Sequence, residues 1–130
     1  MNIIWGDIVV KYVGTKEYPY DWEIQQKIVV ELSNGVILKV PIGYVTDFAS
    51  VPRWLWSLIS PQGVSTNLAS IIHDYLYTEH PYDRKFADKE FLLWLNYLSC
   101  KHKLRNRLMY VALRIFGKPR WEKYAVEKSL

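Results

Sequence analysis

The sequence predicts an α+β domain, in which N-terminal antiparallel hairpins or a small sheet precede a bundle of three to four helices. Three observations favour this class. Apolar residues up to residue 45 are β-branched and partly alternating, those from Val51 onward recur at helical spacing, and turn residues separate the segments. We expect residues 1–130 to form a single domain, with strands over 1–45, helices over 46–117 and a basic tail over 118–130.

Two stretches before residue 45 are predicted strands. The runs Asp7–Val13 and Glu23–Leu32 are rich in β-branched residues and lack helical periodicity. Asn34 and Gly35 separate the second run from Val36–Val40, and an Asn-Gly pair readily adopts the positive φ angles of a tight hairpin turn. We therefore expect Ile24–Leu32 to pair antiparallel with Val36–Val40.

Four helices are predicted after the strands. A short helix is expected over Pro52–Ile59, because Pro is favoured in the first helical turn, and a second over about Thr66–Tyr77. A third begins near Asp83 and ends near Cys100, and a fourth covers about Leu104–Phe116 before a Gly and a Pro. The apolar stripe of the fourth helix consists of Leu104, Leu108, Val111, Ala112 and Ile115.

Composition excludes several classes of protein. Half of the residues are hydrophobic and 23% are charged, which is typical of a folded domain and not of a disordered chain. The single cysteine, Cys100, excludes an intramolecular disulfide scaffold and a multi-cysteine metal site. No run of 18 apolar residues predicts a membrane span, and the N-terminus lacks the pattern of a signal peptide. We expect a cytoplasmic protein.

Positive charge is concentrated at the C-terminus. Residues 101–130 contain nine Lys or Arg and two Glu, whereas residues 1–100 contain eight basic and eleven acidic residues. Such a segment suits a phosphate-bearing ligand or a lipid surface as partner. Alternatively, it is a solvated helix face followed by a frayed tail. No nucleic-acid-binding motif accompanies the charge.

Three polar residues of the second helix, with one of the third, form the predicted site. His73 and Tyr77 share one helix face, and Asp74 is adjacent. Asp88 follows a short turn, so it returns beside His73, where its carboxylate could hold the Nδ1–H of the imidazole and leave the other nitrogen as a general base. Alternatively, these residues form a hydrogen-bonded core network, or Asp88 pairs with Arg84 one turn earlier.

A polar loop joins the strands to the helices. In residues 43–53, Asp47 offers a carboxylate to a cation, and Thr46 and Ser50 offer hydroxyl groups. Alternatively, Asp47 or Ser50 caps the following helix and Arg53 is the counter-charge.

The motifs of this loop and of the helices resemble a known family. They are Gly-Tyr-Val-Thr-Asp-Phe-Ala-Ser-Val-Pro-Arg over 43–53, His-Asp-Tyr-Leu-Tyr over 73–77, and Arg84 with Ala87, Asp88 and Phe91. Together with residues 110–117, this pattern resembles the phage and prophage family called domain of unknown function 1353. The resemblance covers about residues 43–117. It implies a bacteriophage or prophage origin, and the family brings no settled activity.

A second likeness concerns the site alone. In secreted and bacterial phospholipase A2 enzymes, a helix bearing His-Asp-x-x-Tyr packs antiparallel on a helix bearing Asp, and His73, Asp74, Tyr77 and Asp88 match that set. The likeness implies that His73 activates water, that Asp74 ligates calcium, and that Tyr77 and Asp88 support His73. This sequence lacks the Gly- and Cys-rich calcium loop of those enzymes, so Asp47 would have to supply further oxygen ligands.

These observations lead to one hypothesis and two alternatives. The hypothesis is a phage-encoded, metal-assisted hydrolase of lipid or other phosphate-containing esters, with His73, Asp88 and Tyr77 as catalytic residues and Asp47 and Asp74 as ligands of a calcium-type cation. The first alternative is a non-enzymatic virion or tail-assembly component, or an inhibitor of a host factor. The second is a binding protein that sequesters a nucleotide.

Overall fold

The computed structural model describes residues 1–48 and 64–129. Strands precede helices along the chain, which confirms the predicted α+β class. The chain divides into two compact units, of which residues 1–48 form the first and the helices belong to the second. That the two form one domain stays a prediction, and the short helix expected over Pro52–Ile59 lies outside the described residues.

The N-terminal unit contains two three-stranded antiparallel sheets. The strand Ile37–Val40 shows the alternation of a half-buried strand, because Leu38 and Val40 face inward whereas Ile37 and Lys39 are exposed. The first sheet has the order β1 (Asn2–Trp5), β4 (Ile28–Glu31), β5 (Ile37–Val40), and the second has the order β2 (Val10–Tyr12), β3 (Trp22–Ile24), β6 (Val45–Thr46).

The predicted hairpin is confirmed. Gly35 has a φ of 84°, and the N–H of Leu32 donates to the carbonyl of Val36 at 2.9 Å to close the turn between β4 and β5. The prediction of one continuous strand over Ile24–Leu32 was wrong, because β3 ends at Ile24 and β4 begins at Ile28. Both isoleucines are fully buried in different sheets, and the three polar residues between them carry the chain from one sheet to the other.

The first three of the described helices lie close to their predicted positions. Asp83 caps the second of them, because its carboxylate accepts the N–H of Phe86 at 2.8 Å. The helices are α1 (Val64–Glu79), α2 (Arg84–Leu98), α3 (Lys103–Phe116) and α4 (Lys118–Ser129), with a 3₁₀ turn over Cys100–His102.

Helix α4 replaces the predicted basic tail. Gly117 ends α3 as expected, and the sequence predicts that Pro119 belongs to the same stop. In the structure Pro119 lies in the first turn of a new helix, where a missing N–H costs nothing.

The apolar stripe of α3 is the clearest departure from the expected packing. The buried residues of this helix are Asn106, Met109, Ala112 and Leu113. Of the predicted stripe, only Ala112 is buried. Leu104 and Ile115 are 76% and 63% exposed, and Leu108 and Val111 are also exposed. The sequence predicted the helix correctly, but an apolar stripe does not by itself indicate which side faces the core.

A buried amide fixes the corner between α2 and α3. Asn106 is fully buried, and its Nδ2 donates to Oδ1 of Asn96 and to the carbonyl of Ser99, both at 3.1 Å. These bonds satisfy a polar group that would otherwise be costly to bury.

Among the described helices, none has the length and hydropathy that a membrane crossing requires.

A buried carboxylate network as the candidate functional site

The candidate site begins with two side chains of α1. His73 and Tyr77 are four residues apart and so share a helix face, and their ring centroids lie 4.2 Å apart. Phe91 of α2 lies against the imidazole, with ring centroids 5.2 Å apart. His73 is only 3% exposed, so the face is almost sealed from solvent.

Asp88 of α2 is the acceptor on which these side chains converge. It is fully buried. Its Oδ1 lies 2.8 Å from Nε2 of His73 and accepts a hydrogen bond of 2.6 Å from the hydroxyl of Tyr77. The chain turns after α1 and returns Asp88 to the level of His73, as the spacing predicted. Three of the five predicted site residues are therefore in direct contact.

Two arginines hold the other side of this carboxylate. Nη1 of Arg114 on α3 donates to Oδ2 of Asp88 at 2.7 Å. Nε of Arg84 lies 3.6 Å from the same oxygen and donates to the Tyr77 hydroxyl at 3.3 Å. The ion pair predicted as an alternative for Arg84 is thus present together with the His73 contact, so the two arrangements coexist.

Arg84 also fastens α2 to the end of α3. Its Nη2 donates to the main-chain carbonyls of Leu113 and Arg114, at 2.6 and 2.9 Å. These carbonyls belong to the last turn of α3, where the Leu113 carbonyl also accepts the N–H of Gly117 at 2.8 Å. Sequence reasoning counted Arg114 only as part of the basic segment, because no local spacing connects it to a residue 26 positions earlier.

Asp88 contacts the imidazole of His73 through a different ring nitrogen from the one predicted from the sequence. Nε2 of His73 meets Asp88, and the assignment of Nδ1 to the carboxylate was wrong. Nε2 is the ring nitrogen farther from the backbone, so it is the one that reaches across to the neighbouring helix. An ionised carboxylate only accepts hydrogen bonds, so Nε2 carries the proton and Nδ1 of the neutral ring keeps a lone pair.

The environment keeps His73 neutral and Asp88 ionised. Burial lowers the pKa of His73 below its ordinary value, and the hydrogen bond and charge of Asp88 oppose this only in part. Burial alone would raise the pKa of Asp88, but hydrogen bonds from His73, Tyr77 and Arg114 hold it below its usual value. Burial, with the neighbouring carboxylate, raises the pKa of Tyr77, which stays a donor.

Asp74, the predicted calcium ligand, is paired with an arginine of α4. Nη2 of Arg120 donates to Oδ1 of Asp74 at 2.9 Å, and Asp74 is buried. The next residue, Trp121, stacks on His80 with ring centroids 3.7 Å apart and meets Tyr77 edge-on at 5.1 Å. Neither contact was predicted, because α4 itself was not predicted.

Asp47 belongs to the N-terminal unit. It follows β6, is half-buried, and precedes Phe48, whose φ is 56° and whose N–H donates to Oγ1 of Thr46. Its convergence with the helical cluster stays a prediction, as does its role as a cation ligand. The alternative of a capping Ser50 lies outside the described residues.

Gly117 completes the wall of the site. A Cβ at this position would lie 2.6 Å from the carbonyl oxygen of Leu113 and 2.7 Å from the Tyr77 hydroxyl. The φ of Gly117 is −81°, which any residue adopts, so the requirement for glycine is one of space. Sequence reasoning assigned Gly117 only to helix termination.

Comparison with known protein families shows which family the region containing this site matches. Residues 22–113, more than two thirds of the chain, match the family model described as protein of unknown function (DUF1353). The chain belongs to the DUF1353 family. The matched region contains His73, Tyr77, Arg84 and Asp88, and it ends one residue before Arg114. No curated protein and no solved structure matches the chain.

The DUF1353 region thus carries a neutral histidine, an ionised carboxylate and a tyrosine in one network. A carboxylate that fixes a histidine tautomer is the arrangement by which enzymes prepare an imidazole to accept a proton. A buried carboxylate that accepts hydrogen bonds from two other helices is also an arrangement that fixes helices to one another.

Proposed function

We propose that this DUF1353 protein is a hydrolase of lipid or other phosphate-containing esters, in which His73 is the general base. The observation that carries the proposal is the 2.8 Å contact between Nε2 of His73 and Oδ1 of Asp88. It leaves Nδ1 of a neutral ring with a lone pair. This is the state that a general base needs near pH 7.

In the proposed reaction, Nδ1 of His73 accepts a proton from water as the water oxygen attacks the ester. The same proton then passes to the leaving oxygen, so the imidazole is restored. Asp88 stabilises the imidazolium that forms in between, as the carboxylate of a catalytic triad does. Tyr77 and Arg114 keep the carboxylate in place through their hydrogen bonds of 2.6 and 2.7 Å. The phospholipase A2 likeness implies the roles of His73, Tyr77 and Asp88 in this set, and the structure adds Arg114.

The test is a hydrolysis screen of the purified protein against phospholipid vesicles, a nitrophenyl ester and a nitrophenyl phosphodiester. We expect His73→Gln to lower turnover by roughly 100- to 10,000-fold, because the general base is lost. The matched control is His102→Gln, at an exposed histidine, which should leave turnover unchanged. Turnover by the wild type that equals that of His73→Gln on all three substrates would overturn the proposal.

The proposed calcium site is tested separately from the proposed role of His73. In this structure Arg120 neutralises Asp74, the proposed calcium ligand. Ligation by Asp74 and Asp47 requires Arg120 to release the carboxylate. Calcium should then raise the melting temperature, Arg120→Gln should strengthen that response, and Asp74→Asn should remove it. An unchanged melting temperature up to millimolar calcium, for both the wild type and Arg120→Gln, contradicts the calcium role and leaves the role of His73 standing.

A second candidate is a non-enzymatic phage protein, either a virion or tail component or an inhibitor of a host factor. The observation in its favour is that Asp88 accepts hydrogen bonds from α1 and α3 and forms an ion pair with Arg84 of α2, together with the burial of His73. In that case His73→Gln should lower the free energy of unfolding by about 1–3 kcal/mol and leave no activity to lose. No particular contact favours the nucleotide-binding alternative.

A further inference from the structure

Helix α3 presents an apolar stripe to solvent. Leu104, Leu108, Val111 and Ile115 are spaced by four, three and four residues, which places them within about 60° of one another around the helix. Their exposed fractions lie between 45% and 76%. Single exposed apolar side chains are ordinary, but a contiguous stripe of this kind marks a surface that meets an apolar partner.

Positive charge borders this stripe on one side. Lys103, Arg107 and Arg114 lie within about 40° of one another, next to the apolar arc. Helix α3 contains no Asp or Glu. Asp88 of α2 pairs with Arg114, so the surface charge of this border rests on Lys103 and Arg107. The other acidic residue of α2, Glu90, is fully buried.

An open groove continues the stripe toward α2. Its volume is about 340 Å³. Arg114 lies in the groove, is 35% exposed and also donates to Asp88, so this surface borders the buried network directly. The groove is lined by Lys89, Leu92, Arg107, Tyr110, Val111, Arg114 and Ile115.

We infer that this surface, the stripe with its basic border and the groove, docks on an anionic lipid bilayer. Aliphatic side chains flanked by Lys and Arg are typical of helices that lie in the interface of a membrane with acidic headgroups. A second copy of the chain is disfavoured, because a two-fold contact would bring the basic borders together. The aliphatic stripe also lacks the Trp and Tyr that dominate protein–protein hot spots.

This docking goes beyond the proposed function, because binding requires no ester cleavage. The full-length protein is therefore tested with vesicles of ether-linked lipids, which contain no acyl ester that a hydrolase could cleave. Sedimentation with vesicles of phosphatidylcholine is compared with sedimentation with vesicles that also contain phosphatidylglycerol. We expect binding to the anionic vesicles, weakened by salt, and little binding to the neutral ones.

Two double variants separate the apolar and the charged contributions. Lys103→Gln with Arg107→Gln should weaken binding by about 25-fold, on the basis of about fivefold per charge. Leu108→Ser with Ile115→Ser should weaken it by at least about 10-fold. Arg114 is left unchanged because it holds Asp88.

Each double variant has a matched control elsewhere on the surface. Lys16→Gln with Lys39→Gln removes the same charge from the N-terminal unit, and Val36→Ser with Val126→Ser removes two exposed aliphatic side chains. Both controls should bind vesicles as the wild type does. Circular dichroism of all four variants checks whether they keep the fold.

Three outcomes would overturn the inference. They are no sedimentation with anionic vesicles at low salt, binding that the stripe variant leaves unchanged, and dissociation of a wild-type dimer by Leu108→Ser with Ile115→Ser in the absence of lipid. The last outcome would assign the surface to a second copy. Loss of ester hydrolysis in His73→Gln with normal vesicle binding would bear on the catalytic proposal alone.

Discussion

Asp88 is the residue that the charged and polar side chains of the site contact. Arg84 and Arg114 approach Oδ2, and His73 and Tyr77 approach Oδ1. With a neutral imidazole, the carboxylate and the two guanidinium groups already sum to one positive charge. A proton on His73 would add a second positive charge to a buried cluster, which agrees with the lowered pKa that burial gives this side chain.

The first prediction concerns the charge of Asp88. Asp88→Asn keeps the shape of the side chain but leaves Arg114 and Arg84 without their buried counter-charge. We expect the free energy of unfolding to fall by about 3–5 kcal/mol, the usual cost of removing one partner of a buried ion pair. Urea denaturation measures it.

The control for this variant is Asp83→Asn in the same helix. Asp83 caps α2 at its exposed N-terminus, and Asn caps helices about as well as Asp. Its effect should stay below about 0.5 kcal/mol. Equal effects of the two substitutions would mean that the Asp88 network contributes little to stability.

At the scale of elements, the pair α1 and α2 was predictable because its signals are local. The helical period, the cap at Asp83 and the 15 residues between His73 and Asp88 fix which side chains meet. The contributions of α3 and α4 were not predictable in this way. Arg114 and Arg120 reach the site across 26 and 46 positions of sequence, and nothing in the local pattern distinguishes them from the other basic residues.

The same limit explains the stripe of α3. Its period identifies a helix, but Asn106 and Met109 on the opposite side turned out to be the buried residues. An Asn side chain can be buried without a large energetic cost only where it has hydrogen-bond partners. The partners of Asn106 are Asn96 and the carbonyl of Ser99, which the turn between α2 and α3 brings into contact with it. Packing therefore overrode the simple apolar pattern.

The second prediction concerns the junction of α3 and α4. Gly117→Ala would place a methyl group against the Leu113 carbonyl and the Tyr77 hydroxyl. We expect a loss of about 1–3 kcal/mol in the free energy of unfolding, although Ala usually stabilises a helix relative to Gly. Thermal denaturation checks the sign of the change.

A second variant shows whether the Tyr77 hydroxyl causes this loss. In a Tyr77→Phe background the nearest side-chain atom is removed, so Gly117→Ala should cost less than it does in the wild type. A cost that is the same in both backgrounds would assign the strain to the backbone of α3 alone. A stabilising Gly117→Ala would contradict the close approach.

At the scale of the whole molecule, the third prediction is a pH dependence of stability. The pKa of His73 is lower in the folded chain than its ordinary value of 6.5. The unfolded chain therefore binds more protons below about pH 6.5, and the free energy of unfolding falls as the pH drops. The lowered pKa of Asp88 adds a further loss below its ordinary value of 3.8.

Denaturation curves between pH 7.5 and 5 measure the histidine contribution, which amounts to at most about 1.4 kcal/mol per pH unit. His73→Gln should flatten this part of the curve, and His102→Gln should not. Equal slopes for the wild type and His73→Gln in this range would contradict the lowered pKa of His73.

The charge distribution also belongs to this scale. The asymmetry that the sequence predicted is present, and α3 concentrates part of it beside an exposed apolar stripe. Composition alone left two interpretations of this charge, a phosphate-bearing partner or a solvated helix face. The exposure of the stripe, which only the fold reveals, is the observation that supports the proposed lipid surface.

The central claim is that Asp88 holds His73 as a neutral ring with its proton on Nε2 and a lone pair on Nδ1. Long-range ¹H–¹⁵N correlation NMR of the histidine rings reads this state directly at pH 7, with His73→Gln identifying the signal. The structure predicts one protonated nitrogen, Nε2, and one unprotonated nitrogen, Nδ1. A His73 ring protonated on both nitrogens, or on Nδ1 alone, would contradict the claim and with it the role of His73 as a general base.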